Sequence, residues 1–170
     1  TTGSYNTLMG SGSGDAITTG GLNAAFGINA LGSVTTASHN AAFGANSSNT
    51  NITGTHNSSF GSYSLLANTA SNNTAMGAYA LTANTTASDN TAVGAYVLDA
   101  NTTGEGNTAV GYAALTSNTT ADYNVAVGHY CLHDATTGAA NVAVGRQCLY
   151  NNTTGTRNVA IGDRPADAIT

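Results

Sequence analysis

Apolar and polar positions recur along this chain in a fixed five-residue pattern, Asn-x-small-apolar-Gly. The pattern occurs ten times in 170 residues, and consecutive copies start 17 residues apart except for one 16-residue interval. The copies begin at Asn6, Asn23, Asn40, Asn57, Asn73, Asn90, Asn107, Asn124, Asn141 and Asn158. A strict short period is typical of one supersecondary unit stacked many times, so the sequence predicts a repeat architecture.

The segment from Asn90 to Gly106 shows what one repeat contains. Thr91–Val93 is β-favouring and is predicted as the first strand, which Gly94 ends with a turn. Ala95–Leu98 is predicted as a second short strand, and the polar residues 99–104 form a turn. A βαβ unit needs about 30 residues, so each repeat is too short to be one. We therefore expect an all-β fold, a parallel β-solenoid (β-roll) of about ten 17-residue coils with two short strands each.

The same pattern divides the chain into two segments. Residues 1–162 are predicted to form the ten-coil solenoid, and residues 163–170 to form a C-terminal cap or junction, because Pro165 lacks a backbone donor. The chain starts inside a repeat, since Thr1-Thr2-Gly3 matches Thr18-Thr19-Gly20. We expect a processed chain or a section of a longer one. Because residues 169–170 resemble residues 17–18, head-to-tail stacking of copies would continue the repeat.

Columns of equivalent residues predict an inside and an outside. The large apolar residue before each Gly and the Leu four residues after it are expected to fill the interior, as Val93, Val110 and Leu98 do. The residue before the large apolar one points the other way by strand alternation. It forms a candidate contact face for another layer or chain, or else a merely small solvated face: Ala92, Ala109, Ala126 and Ala143.

The repeated Asn and Gly are predicted to be structural. Stacked Asn side chains form hydrogen-bonded ladders, and Gly adopts turn conformations that other residues avoid. The ladder residues are Asn90, Asn107, Asn124 and Asn141, with Gly94, Gly111, Gly128 and Gly145 at the corners. The alternative is that the Asn row forms a ligand-binding surface.

Asn-x-Ser/Thr triplets recur in the turns and predict glycosylation of exposed asparagines along one edge. The candidates are Asn84, Asn101, Asn118, Asn152, Asn46, Asn51, Asn57 and Asn72. Use of these sites depends on the host.

Cys131 and Cys148 occupy the same slot in adjacent repeats. In-register parallel strands would place their Cα atoms about 4.8 Å apart, within reach of a disulfide. Two buried free thiols are the favoured alternative, because the strained in-register geometry is uncommon.

Charge and the length of apolar runs argue against two classes of partner. Only 6% of the residues are charged, the net charge is −5, and there are three basic residues, so we expect no nucleic-acid binding. No apolar run approaches the roughly 20 residues that span a bilayer, so we expect no membrane insertion.

Candidate chemistry is sparse, and we expect no enzyme activity, cofactor or metal. His129 and His133 are four apart, but they are predicted on a strand and its turn rather than on one helix face. Paired Thr residues in the turns, such as Thr102-Thr103, resemble the arrays of ice-binding proteins. A column of Tyr residues could stack on sugars or pack between chains: Tyr63, Tyr79, Tyr96, Tyr112 and Tyr130.

The repeats resemble those of fibrous proteins. The Asn-x-Ala-Val/Ile-Gly core is similar to the head repeats of trimeric autotransporter adhesins, which form a parallel β-roll in each of three chains. The longer form, Asn-Thr-Ala-Val-Gly-Tyr-Ala-Ala-Leu at 107–115 followed by Asn118-Thr-Thr, resembles repeats of phage tail-fibre proteins and bacterial surface proteins. The resemblance implies an extracellular or virion fibre that self-associates as a homotrimer or filament. An adhesin or glycan-binding fibre head is the alternative, and an ice-binding solenoid is the next.

Overall fold

A computed structural model describes residues 2–166 as a single stack of parallel coils. Each coil contributes one three-residue strand, and the ten strands form one sheet in sequence order. Strands β1 to β10 are Thr7–Met9, Ala24–Phe26, Ala41–Phe43, Ser58–Phe60, Thr74–Met76, Thr91–Val93, Thr108–Val110, Val125–Val127, Val142–Val144 and Val159–Ile161. The predicted all-β parallel solenoid is confirmed. Within residues 2–166, no helix is long and apolar enough to cross a membrane.

The corner glycines have the structural role predicted for them. Gly111 has a φ of +131°, and an ideal Cβ at this position would lie 2.5 Å from the carbonyl oxygen of Gly128. Gly94, Gly128 and Gly145 share this conformation, with φ between +132° and +138°. Only a residue without a side chain allows the coils to stack this closely at the corner.

The prediction of a second strand in each coil is wrong. Residues 95–98 form turns, in which Tyr96 and Leu98 have left-handed φ values of 57° and 51°. Their N–H groups point in opposite directions: Tyr96 donates to Ala78 O in the preceding coil, and Leu98 donates to Ala114 O in the following coil. These bonds between coils, together with burial of Leu98, offset the steric cost of the left-handed conformation.

The predicted strand faces are also reversed. The middle residue of each strand points inward, and Ala92, Ala109, Ala126 and Ala143 are each 0% exposed. The large apolar residue before Gly points outward, and Val93 and Val110 are half-buried. The contact face assigned to the Ala column is therefore interior. The prediction for the Leu column is confirmed, since every member is fully buried: Leu31, Leu65, Leu81, Leu98, Leu115, Leu132 and Leu149.

The Ala side of each strand faces inward because the coil is too narrow for two large side chains at one level. In coil 2 and in coils 4–9, a Leu in the turn segment fills the interior while the strand supplies a small residue such as Ala or Ser. The first coil exchanges the two: Leu8 occupies the strand slot, and Gly14 occupies the Leu slot. An ideal Cβ on Gly14 would lie 2.8 Å from both methyl groups of Leu8. One large residue per level is therefore the packing rule of this core.

The short repeat changes a turn and leaves the sheet intact. Ser58 still pairs with Thr74, and Phe60 with Met76. The residue is missing from the turn after Asn68, whose Nδ2 donates to the carbonyl two residues on. In the coil that follows, Asn84 makes the equivalent bond to the carbonyl three residues on.

The cap or junction predicted for residues 163–170 is described only as far as residue 166, and it stays a prediction. Arg164 N donates to Arg146 O, and Leu149 N donates to Pro165 O, so residues 163–166 follow the path of the preceding coil. The resemblance of residues 169–170 to residues 17–18 lies outside the described residues.

Candidate functional site

Two parallel rows of side chains cover the solvent side of the sheet, and together we call them the outward face. The first row holds the first residue of each strand: Thr7, Ala24, Ala41, Ser58, Thr74, Thr91, Thr108, Val125, Val142 and Val159. The second row holds the last residue of each strand: Met9, Phe26, Phe43, Phe60, Met76, Val93, Val110, Val127, Val144 and Ile161. No member is charged, and at strand spacing the face is about 43 Å long.

The second row of the outward face is apolar and accessible, whereas half of the first row is Thr or Ser. Phe60 is 38% exposed and Met76 is 45% exposed, and the Phe and Val residues around them are half-buried. The rings of Phe26, Phe43 and Phe60 stack at 4.7–4.8 Å in nearly parallel planes. Contiguous apolar surface of this length on a folded chain is typical of an interaction site.

Side-chain size on the two rows is complementary in β2–β4 and β6–β9. In β2–β4 the large Phe stands beside Ala or Ser, in β6 and β7 Val stands beside Thr, and in β8 and β9 Val stands beside Val. A large neighbour therefore accompanies a small one, and two medium residues accompany each other. Solvent places no such condition on a surface, whereas a packed layer does.

The asparagine ladder is confirmed and serves the backbone. Oδ1 of Asn90 accepts from the N–H of Asn107 at 2.9 Å, and Nδ2 of Asn107 donates to Ala121 O at 2.9 Å. In the same way, Oδ1 of Asn107 accepts from the N–H of Asn124, and Oδ1 of Asn124 accepts from the N–H of Asn141. These amides are buried inside the coil, so they do not form a ligand surface.

A second asparagine ladder lies where glycans were expected. Nδ2 of Asn101 donates to Oδ1 of Asn84 at 2.9 Å and to Gly104 O at 3.0 Å. Six of the eight candidate asparagines are at most 1% exposed, so the predicted glycan row is wrong: Asn51, Asn57, Asn84, Asn101, Asn118 and Asn152. Asn46 is half-buried and Asn72 is exposed. A second Asn at a fixed offset in six of the repeats was the sequence signal for this ladder.

The cysteines are free and buried in adjacent coils, as the favoured interpretation had it. The Sγ atoms of Cys131 and Cys148 lie 3.2 Å and 3.1 Å from the carbonyl oxygens of Ala143 and Ala160. Burial raises the pKa of the Cys131 thiol to about 12, and the charge of Cys148 adds to the shift. Thiols held this far from ionisation are poor nucleophiles.

The tyrosine column is present, but its ring faces are largely covered. Tyr63, Tyr79 and Tyr96 stack at 5.2 Å and 5.3 Å with interplanar angles of 10° and 4°. Tyr96 meets Tyr112 edge to face. Stacked neighbours occupy most of the surface that a sugar ring would need, so the column offers mainly ring edges and hydroxyl groups.

His129 and His133 do not converge on a common point. The ring of Tyr130 contacts both, and His129 stacks on Tyr112 while His133 stacks on Tyr150. No group of three His, Cys, Asp or Glu side chains in the described part of the chain is placed to hold a metal ion.

The paired threonines use one hydroxyl within the rod. Oγ1 of Thr85 donates to Thr102 O at 2.9 Å, and Oγ1 of Thr102 donates to Thr119 O at 3.0 Å. The second Thr of each pair, such as Thr103, is exposed. These two pairs therefore each present only one hydroxyl group that is not already bonded along the rod.

Comparison with protein-family models, curated proteins and solved structures gives no match for this chain.

Proposed function

We propose that this chain is a structural fibre module whose copies associate side by side through the outward face. The observation that carries the proposal is the long, uncharged face itself, with its apolar second row and the complementary side-chain sizes on most of its levels. A homotrimer is the assembly that the sequence resemblance implies, and an extracellular or virion location belongs to the same proposal.

The size pattern favours parallel copies in register around an axis along the rod. In that arrangement the second row of one copy lies opposite the first row of its neighbour at the same level. Phe43 then faces Ala41 of the next copy, and Val127 faces Val125, which keeps the gap even along the rod. Even packing without voids is what stabilises an apolar interface.

Antiparallel copies fit less well. Reversal would set β3 against β8, with Phe43 opposite Val127 and Ala41 opposite Val125. One row would then be overpacked at the Phe levels while the other row gained space. Parallel association therefore follows from the order of residues along the face.

The mechanism of the module is mechanical. Backbone hydrogen bonds link each coil to the next, and the Asn ladder adds a side-chain bond at every level. Because the turns are polar and the charge is low, copies approach without strong repulsion. We propose no catalytic role, and the inert thiols and separated histidines support this.

Analytical ultracentrifugation combined with negative-stain microscopy tests the assembly. The wild-type chain is expected to form homo-oligomeric rods, and Phe43→Asp and Val93→Asp are expected to give folded monomers. Thr103→Asp, on the exposed turn edge, is the matched control and should assemble normally. Wild-type chains that remain monomeric at high protein concentration would overturn the proposal.

A glycan-binding fibre head is the second candidate, and the exposed tyrosine column favours it. Its hydroxyl groups could donate to sugar oxygens along the rod, even though the ring faces are covered. Binding to a glycan array that is lost in a Tyr63→Phe, Tyr79→Phe, Tyr96→Phe variant would support this role. Equal binding by the variant and the wild type would exclude the hydroxyl groups as the recognition element.

A further inference from the structure

Four serines form a buried polar layer across the interior of coils 3 and 4. Ser47, Ser48, Ser59 and Ser64 are all at most 1% exposed. Oγ of Ser47 donates to Oγ of Ser59 at 2.6 Å, and hydroxyl contacts of 2.9 Å and 3.1 Å join Ser48 and Ser64 to the group. Ser64 also donates to Gly61 O at 2.8 Å. The hydroxyl groups are thus satisfied by one another and by backbone oxygens.

This layer replaces apolar residues that fill the same slots elsewhere. Ser48 stands in the column of buried leucines, between Leu31 and Leu65. Ser59 stands in the column of inward Ala residues, between Ala42 and Ala75. The buried apolar residues consequently form two separate clusters, one from Ile17 to Ala42 and the other from Leu65 to Ala160.

The second asparagine ladder also starts on the far side of the serine layer. Asn84 donates to Oδ1 of Asn68 at 2.7 Å, and the chain of side-chain bonds continues towards the C-terminal end. Asn68 itself donates to Ala70 O, and Oδ1 of Asn51, in the layer's own coil, accepts from Gly54 N, so the ladder does not continue from Asn68 to Asn51. In coils 1 and 2 the same slot holds Ile17 and Val34. Apolar packing and the second ladder therefore both change at one level.

Other connections run through the layer without a break. Asn57 N donates to Oδ1 of Asn40 at 2.9 Å, and the rings of Phe43 and Phe60 stack across it. The strands β3 and β4 stay in register. The rod is thus continuous in shape, and the discontinuity lies in the free energy that couples neighbouring coils.

We propose that the serine layer divides the rod into two cooperative units, so that coils 1–3 open as one block while coils 5–10 stay folded. In a stack of repeats, stability is a sum of repeat terms and nearest-neighbour terms, and a weak neighbour term separates the units. Hydroxyl contacts contribute less to such a term than the burial of a Leu column does. The layer is a release point at which the N-terminal coils detach before the rest.

Hydrogen exchange of the full chain, read amide by amide, tests this inference. Fraying alone would give protection that falls smoothly towards each end. The inference predicts a step between β3 and β5 of at least about tenfold, with similar protection within each unit. The C-terminal coils, which lack a serine layer, provide the internal comparison and should show only the smooth decline.

Two matched variants sharpen the test. Ser47→Ala, Ser48→Leu, Ser59→Ala and Ser64→Ala together restore the residues typical of these slots and should abolish the step. Ala80→Ser, Leu81→Ser, Ala92→Ser and Val97→Ser copy the layer two coils further along and should create a step there. A smooth wild-type profile, or a step that persists when the serines are replaced, would overturn the inference. It is independent of the proposed fibre role.

Discussion

Nδ2 of Asn118 donates to Oδ1 of Asn101 at 2.9 Å, and this bond is the last in an unbroken run of the second ladder. The next slot holds Ala135, which is fully buried, and Oδ1 of Asn118 is buried without a hydrogen-bond partner. The ladder is interrupted at one position, since Asn152 occupies the slot after that.

Ala135→Asn should therefore stabilise the chain by about 1 kcal/mol, because its amide would donate to the unpartnered oxygen of Asn118. Six other coils already hold Asn in this slot, so the side chain fits. Thermal unfolding measures the gain, about 2–4 °C for a chain of this size. Ala135→Asp is the isosteric control; it lacks the donor and should destabilise. Equal effects of the two changes would contradict the ladder explanation.

The two faces of β7 predict opposite results for neighbouring residues. Ala109→Leu should cost about 1–3 kcal/mol in unfolding free energy, since the interior already holds Leu115 at that level. Val110→Asp should leave the monomer nearly as stable, because Val110 faces outward. Urea denaturation at low protein concentration measures both. A larger loss for Val110→Asp than for Ala109→Leu would mean that the face assignment is wrong.

The corner of each coil tolerates no Cβ. Gly111→Ala is expected to cost at least about 1–3 kcal/mol, because φ is +131° and the added atom meets Gly128 O. Ala113→Gly is the control. Ala113 also has a positive φ, of 52°, but already carries a Cβ, so its removal should be nearly neutral. Urea midpoints of the two variants would distinguish stacking contact from general glycine effects.

The buried thiols predict a loss of stability at alkaline pH. The folded-state pKa of Cys131, about 12, lies above the ordinary value of 9.0, so the folded chain holds its proton longer than the unfolded chain. This contribution is complete below about pH 9 and declines as the pH rises towards 12. Unfolding free energies across that range should fall more steeply in the wild type than in the Cys131→Ala, Cys148→Ala variant. Parallel curves would show that tyrosines or other groups dominate the dependence.

Much of the architecture is readable from the period alone. The 17-residue spacing predicted parallel coils, the Leu98 column predicted the interior, and the Asn90 and Gly94 columns predicted ladder and corner. The side of the strand that faces inward was not readable. Alternation defines two faces without assigning them, and hydrophobicity favours Val93 over Ala92 for the interior. The choice is decided by Leu98, which fills the level and leaves space only for Ala.

Two other features were hidden for physical reasons. Left-handed φ at Tyr96 and Leu98 runs against the intrinsic preference of both residues, and bonds between coils together with burial of Leu98 stabilise it. The second ladder was hidden because Asn101-Thr102-Thr103 fits both a glycosylation sequon and a stacked amide. Burial decides between them, and burial depends on the whole stack. The outward face could not be predicted for the same reason, because it follows from the inward position of the Ala column.

The short coil between Asn57 and Asn73 shows that a residue can leave a turn while β4 and β5 keep their pairing. Mutation can therefore change the length of a turn without changing the number of coils, and the reverse. Unequal recombination between near-identical repeats would add or delete whole coils and leave each junction intact. Rod length would then vary among descendants in increments of about 4.8 Å.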